Sequence, residues 1–231
     1  MGKIRLSKRL KKVSQYVKKY TPLADIGSDH AQLPIYLVQN KQIPKAIAGE
    51  VVDGPFQIAK SEVKSHSLED QISVRFGDGL EILTPQEEVG TITICGMGGL
   101  LIGHILKEGI QKKTLSKNTR LVLQPNNAVK ELRIFLQQSN YKIIAEDLVD
   151  ENDKIYEIIV AEFSPKEFHY TDFELAFGPF LLKKKSAIFY KKWEAELKIN
   201  EYIEGQLKNT TNKEKLKNTQ EKIQQIKKVL S

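Results

Sequence analysis

Leu23-Ala24-Asp25-Ile26-Gly27-Ser28-Asp29-His30-Ala31 is the stretch whose reading decides the fold. An apolar run ends in an acid, a glycine follows two residues later, and a hydroxyl and a second acid lead into a segment, 31–39, able to start a helix. This is the order of a strand, a tight turn and a helix N-terminus. Such a turn exposes backbone N–H groups at the carboxyl end of a strand, where α/β sheets hold ligands.

Working outward, the same grammar repeats. Residues 46–50, 72–76, 91–95 and 120–124 read as further short apolar strands. Glu50, Gly77-Asp78-Gly79, Gly96-Met97-Gly98-Gly99 and Pro125-Asn126-Asn127 follow them. Helical segments are expected over 33–39, 56–65, 80–83, 100–108 and 129–139. Pro34 is tolerable only in a first turn. Strands alternating with helices imply an α/β fold, a mostly parallel sheet covered on both faces. Residues 141–149 and 155–163 alternate and lie close together, so they read as an antiparallel pair placing one reversed strand at the sheet edge. Upstream, Ile4, Leu6, Leu10, Val13 and Val17 predict a basic amphipathic helix over 4–19, ended by Thr21-Pro22.

Composition changes after residue 164. Residues 168–180 are aromatic. Apolar residues then recur at helical spacing to Leu207, Asn209-Thr210-Thr211-Asn212 forms a polar break, and Leu216, Ile223, Ile226 and Leu230 follow a seven-residue rhythm. The expectation is one domain over 1–164 and a C-terminal helical hairpin over 165–231, packed as an antiparallel coiled coil.

The 231 residues suit a domain plus an appendage, and a single cysteine excludes an internal disulfide and points to a reducing compartment. No secretory leader or membrane span is legible, so a cytoplasmic protein without membrane contact is expected. The net charge of +7 is unevenly spread. Residues 1–20 carry eight basic and no acidic side chains, 165–231 carry fourteen against nine, and 21–164 carry fourteen against twenty. Basic ends on an acidic centre fit a polyanion gripped at the periphery, or simply a solvated lysine-rich surface.

Asp25, Gly27, Asp29, Glu50, Asp78 and Gly96–Gly99 should converge outside the carboxyl ends of the strands. A dinucleotide site needs glycines beside its pyrophosphate. Here the second glycine position is Asp29, and a carboxylate there costs several kcal/mol unscreened. Acids suit a cation. S-adenosylmethionine carries a sulfonium and an ammonium and no phosphate. Glu50 is placed for its ribose hydroxyls, Asp78 for its adenine amino group, and Gly27 for close passage of its methionine part. The competing reading makes Asp29 and Asp53 helix caps.

Ala24–Ala31, Leu33-Pro34-Ile35-Tyr36-Leu37, Ala48-Gly49-Glu50-Val51-Val52, Gly54-Pro55-Phe56, Gly77-Asp78-Gly79-Leu80, Ile94–Gly99 and Leu123-Gln124-Pro125-Asn126 together resemble the TrmK family. Its members are bacterial tRNA methyltransferases acting on N1 of adenine 22. The resemblance runs from about Leu6 to Val160 and departs at Gln32, where tyrosine is expected. It implies a class I, Rossmann-like methyltransferase domain, S-adenosylmethionine as cofactor, the D-arm of tRNA as substrate, and a C-terminal domain that helps hold the tRNA.

The expected cofactor contacts are Asp25, Gly27, Ser28, Asp29, His30, Glu50, Val51, Asp78, Gly79 and Gly96, with His30 either near the cofactor carboxylate or packed in its turn. Asp29 is the expected catalytic residue, stabilising the charge that develops on the target ring. Met97, Gly98, Gly99, Pro125 and Asn126 should line the base pocket, the glycines leaving room for a flat ring. Arg5, Lys8, Arg9, Lys11, Lys12, Lys183–Lys185, Lys191 and Lys192 are the expected phosphate contacts. No metal is expected, because His66, His104, His169 and Cys95 lack ligand spacing. Cys95 reads as a buried hydrophobe and Trp193 as core. The chain is expected to act as a monomer. The alternatives are a methyltransferase on another RNA or a non-RNA substrate, and a catalytically silent binding module of the same fold.

Overall fold

The computed structural model describes residues 4–208 and 212–231. The polar break expected at 209–212 lies outside the described residues except for Asn212. The chain divides into two compact units, Met1–Tyr170 and Thr171–Ser231. The division falls six residues beyond Pro165 because Tyr170 is tied into the first unit, its hydroxyl meeting the backbone N–H and C=O of Ile143 at 3.0 and 3.2 Å.

The first unit is built on a seven-stranded sheet: β1 (Leu23–Ile26), β2 (Ala46–Glu50), β3 (Ile72–Phe76), β4 (Thr91–Met97), β5 (Arg120–Pro125), β6 (Tyr141–Glu151) and β7 (Lys154–Phe163). Their order is β3-β2-β1-β4-β5-β7-β6, and β1 to β5 run parallel. All four residues of β1 are buried, as a strand covered on both faces must be. The chain leaves β1 towards β2 and β3, then returns to β4 on the other side. The ends of β1 and β4 therefore frame a topological switch point.

The reversed strand is not at the edge. β7 lies antiparallel between β5 and β6, and β6 is the outer strand. The run Ile158-Ile159-Val160-Ala161 is buried throughout, which requires an interior position. Asn152 and Asp153 both take left-handed φ (51° and 59°), the turn that joins two twisted antiparallel strands in two residues.

The helices are α1 (Lys8–Ser14), α2 (Gln32–Gln39), α3 (Asp53–Ser65), α4 (Gly99–Gln111) and α5 (Val129–Gln138), with a 3₁₀ turn at Gly79–Ile82. The first helix is shorter than its periodicity predicts. Ser7 caps it, accepting from the Leu10 N–H at 3.1 Å, and Ile4 and Leu6 precede it as a non-helical segment packed on the core. The Glu151 carboxylate accepts from the N–H groups of Lys8 (2.6 Å) and Arg9 (3.2 Å), fixing α1 against the sheet by its positive end. Arg133 of α5 is fully buried and holds Glu146 of β6 (2.7 Å) and Glu157 of β7 (2.5 Å).

The second unit consists of α6 (Asp172–Phe177), α7 (Pro179–Lys184), α8 (Ala187–Leu207) and α9 (Lys213–Leu230). Thr171 and Glu174 form a capping box at the start of α6. Trp193 is buried among Phe177 (4.5 Å between ring centroids) and Phe189 (6.1 Å). α8 and α9 run antiparallel, joined by Lys222–Glu196 (3.0 Å), Lys227–Glu201 (2.9 Å) and Gln220–Glu204 (2.9 Å). Thr219, Ile223, Ile226 and Val229 form the buried face of α9, where Val229 rather than Leu230 closes the series.

Candidate active site

Asp25, the last residue but one of β1, lies beside Thr93 of β4. It is 4% exposed, and its carboxylate accepts from Thr93 Oγ1 at 2.5 Å and Ser28 Oγ at 2.6 Å. Burial pushes its carboxyl up to about 7, against those two hydrogen bonds, which pull it down. The folded chain therefore holds a proton on Asp25 between about pH 4 and 7 that the unfolded chain releases. Stability should fall as pH rises through that window and level off above it. Urea-unfolding midpoints across the window should show the slope in the wild type and lose it in Asp25→Asn; parallel curves would remove Asp25 as its source.

Beyond Asp25 the backbone turns sharply. Gly27 has φ +64°, and Asp29, His30 and Ala31 are all left-handed at 42°, 63° and 54°. Three successive non-glycine residues in that region store strain of the kind found at ligand turns. Glu50, buried at the end of β2, holds the turn by accepting the Asp29 N–H at 2.5 Å. Burial raises the Glu50 carboxyl, partly offset by that bond. The Asp29 side chain is 81% exposed and lies 3.3 Å from His30 Nε2.

Two cavities meet at Gly27. A cleft of about 460 Å³ is lined by Asp25, Ser28, Asp29, Gln32, Gly96 and Asn126, with Ser7, Arg9, Leu10, Cys95 and Tyr156 completing the wall. A crevice of about 70 Å³ is lined by Val51, Gly77, Asp78, Gly79, Leu101 and Ile105. Gly27 and Met97 border both. A Cβ on Gly27 would sit 2.3 Å from Met97 Cε, so the bare glycine keeps the passage as wide as it is. Asp25 and Asp29 in the cleft and Asp78 in the crevice fit a cationic sulfonium compound and oppose a pyrophosphate, while Glu50 lines neither cavity and lies buried behind the turn that it holds.

The other wall comes from β5 and the N-terminal segment. Gln124 is fully buried, and its Oε1 accepts from Arg9 Nη1 and from the Gly96 N–H. Its Nε2 donates to Asn126 Oδ1 at 3.0 Å and the Pro125 carbonyl at 3.1 Å, while Asn126 Nδ2 donates to the Gly96 carbonyl at 2.7 Å. Arg9 also lies over the Tyr156 ring, 5.4 Å from its centroid. Arg9 is thus turned into the cleft rather than outward to phosphates. Lys12 pairs with Asp147 at 3.1 Å, whereas Arg5 and Lys8 are exposed. Lys191 and Lys192 sit on α8 in the second unit, with Lys192 Nζ 4.9 Å from the Trp193 ring centroid.

Gly98, Gly99 and Pro125 are not among the residues lining the cleft. A Cβ on Gly99 would meet the Ala128 carbonyl at 2.3 Å, so its small size admits a neighbouring loop rather than a base. Gly96 is the open one, with only Arg9 Nη1 near, at 3.5 Å. Burial raises the Cys95 thiol, which keeps it from being a thiolate nucleophile. Among the described residues no cluster of His, Cys, Asp or Glu is placed to hold a metal, and no helix is long and apolar enough to cross a membrane. Sequence reading missed Thr93, Gln32 and Tyr156 as site residues. Thr93, a polar residue within an apolar strand, was the one carrying a local signal.

The family model for TrmK, tRNA (adenine(22)-N(1))-methyltransferase, matches residues 23–228. The Bacillus subtilis tRNA (adenine(22)-N(1))-methyltransferase is 42% identical over 100% of this chain and 99% of its own. The chain belongs to the TrmK family. Its solved relatives have the same architecture. Streptococcus pneumoniae Sp1610, determined in complex with S-adenosyl-L-methionine, superposes with a TM-score of 0.89 at 42% identity, covering 98% of this chain and 100% of that one. M. capricolum TrmK, in complex with S-adenosyl-homocysteine, gives 0.86 at 32%, covering 97% of each. The Rossmann-like methyltransferase fold and the seven-stranded sheet of this TrmK protein agree with that membership.

Proposed function

We propose that the chain transfers a methyl group from S-adenosylmethionine to N1 of adenine 22 in the D-arm of tRNA. The observation that carries this reading is the acid-lined cleft at the β1/β4 switch point in a chain of the TrmK family. When bound, S-adenosylmethionine supplies an electrophilic methyl group on a positively charged sulfur.

The residues present suit that cofactor. Val51, Asp78 and Gly79 in the crevice receive the adenosine end, with the exposed Asp78 carboxylate free to accept from an amino group. Glu50 fixes the turn and offers its carboxylate to ribose hydroxyls. Asp25, Gly27 and Ser28 border the passage to the larger cleft. Neutral adenine already has a lone pair on N1, so no base is needed before attack, and orientation can supply much of the barrier reduction. A flipped-out base enters the cleft between Gly96, Met97 and Asn126 on one side and Asp29 on the other. Asp29 stabilises the positive charge that grows on the ring and then accepts a proton from N6.

In this reading Arg5, Lys8, Lys191 and Lys192 hold tRNA phosphates, and α8 with α9 forms an antiparallel coiled coil that extends the RNA surface. One copy suffices, no metal takes part, and a tRNA substrate places the reaction in the cytoplasm. Arg5→Glu with Lys8→Glu should raise KM for tRNA and leave cofactor affinity intact. The slope of log KM against log salt should lose roughly one unit per contact removed. An unchanged slope would take this segment off the tRNA surface. The function itself is tested by labelled methyl transfer to an unmodified transcript. Adenine at position 22 should be labelled and a guanine-22 control should not; equal labelling would overturn the site, and no labelling the activity.

A further inference from the structure

We propose that Gln32 reads the N6/N7 edge of the target adenine and makes the cleft selective for that base; this rests on the proposed methyl transfer. Two carboxamide side chains, Gln32 and Asn126, line the cleft, and a third, Gln124, is buried behind its wall. Gln124 and Asn126 have both their oxygen and their nitrogen committed to hydrogen bonds with Arg9, Gly96, Pro125 and each other. Gln32 lines the same cleft from the first turn of α2, is half-buried, and has no hydrogen-bond partner for its amide among the described residues. The left-handed run Asp29-His30-Ala31 sets Gln32 three residues from Asp29, and both residues line the cleft.

The chemistry of adenine fits this pair. Its N6 amino group has one hydrogen beside N1 and one beside N7. Asp29 takes the first, next to the reacting nitrogen. A carboxamide takes the second with its oxygen and donates to N7 with its nitrogen, the pairing by which glutamine recognises adenine elsewhere. N1 stays free for the methyl group. Guanine presents acceptors at both O6 and N7, so one carboxamide cannot satisfy its edge, and guanine also carries hydrogen on N1.

The test uses the full chain and tRNA ligated from synthetic halves, with adenosine or 7-deazaadenosine at position 22. Replacing N7 by C–H should cost the wild type about tenfold in kcat/KM, the worth of one hydrogen bond. Gln32→Leu, which removes both hydrogen bonds, should lose at least as much on adenosine and be indifferent to 7-deaza substitution. Its affinity for S-adenosylhomocysteine should equal that of the wild type, which also reports that the variant folds. Equal rates of the wild type on the two bases would overturn the inference. So would a Gln32→Leu variant that still discriminates them, or one whose S-adenosylhomocysteine affinity collapses. Failure of the wild type on adenosine-22 tRNA itself would instead sink the methyl-transfer reading, and the role of Gln32 with it.

Discussion

Asp29→Asn should lower kcat for tRNA methylation by about 100-fold, near 3 kcal/mol of transition-state stabilisation, while cofactor affinity changes little. The substitution isolates the carboxylate. Asparagine accepts a left-handed backbone readily, so φ of 42° at this position costs it little. The backbone N–H that binds Glu50 is retained. What is removed is the negative charge facing a ring that becomes positive, and the site that receives the N6 proton. Steady-state kinetics beside calorimetric titration with S-adenosylhomocysteine separates the possibilities. A parallel loss of affinity makes Asp29 chiefly a binding residue, and an unchanged kcat denies it any part in turnover.

Arg133→Leu should have the largest effect on stability. Arg133 and Glu146 are wholly buried and Glu157 almost so, and the guanidinium lies between both carboxylates. Removing it leaves two like charges in the interior beneath α5, β6 and β7. Breaking a buried ion pair from one side costs about 3–5 kcal/mol. For a chain of this size that lowers the melting temperature by roughly 6–20 °C. Replacing all three residues together, as Arg133→Met with Glu146→Leu and Glu157→Leu, should recover much of the loss, because no charge is stranded. Thermal unfolding of the two variants checks both halves; a single substitution costing less than about 1 kcal/mol would mean that the carboxylates find other partners.

The sheet was largely legible in the sequence. β1, β2 and β3 begin and end where the apolar runs meet Asp, Glu and Gly, since a short buried strand needs little more than such a run between turns. Asp25, Gly27, Gly77, Asp78 and Gly79 at those ends sit on the cleft and crevice because the parallel topology brings successive strand ends to one edge, whereas Glu50 is buried behind the Asp29 turn. Long-range pairing was less accessible. Nothing local tells β7 to insert between β5 and β6, although the unbroken apolar run 158–161 hinted at a covered position. The first helix was overextended because Ile4, Leu6 and Val17 keep helical spacing by coincidence, while the Ser7 cap decides where the helix starts. Arg9 and Tyr156 carried no local sign of joining the cleft. Their meeting depends on α1 being docked by Glu151, more than 140 residues away in sequence.

The central claim is that carboxylates from separate strand ends form one seat for a sulfonium cofactor. Its most direct test is calorimetric titration of the full chain with S-adenosylmethionine, repeated with Glu50→Ala and with NAD as competitor. The account predicts saturable binding of S-adenosylmethionine, weakened about tenfold or more by Glu50→Ala, a loss expected when a buried carboxylate no longer meets its hydrogen-bond donors, and indifferent to NAD. Displacement by NAD, or full affinity without Glu50, would contradict it.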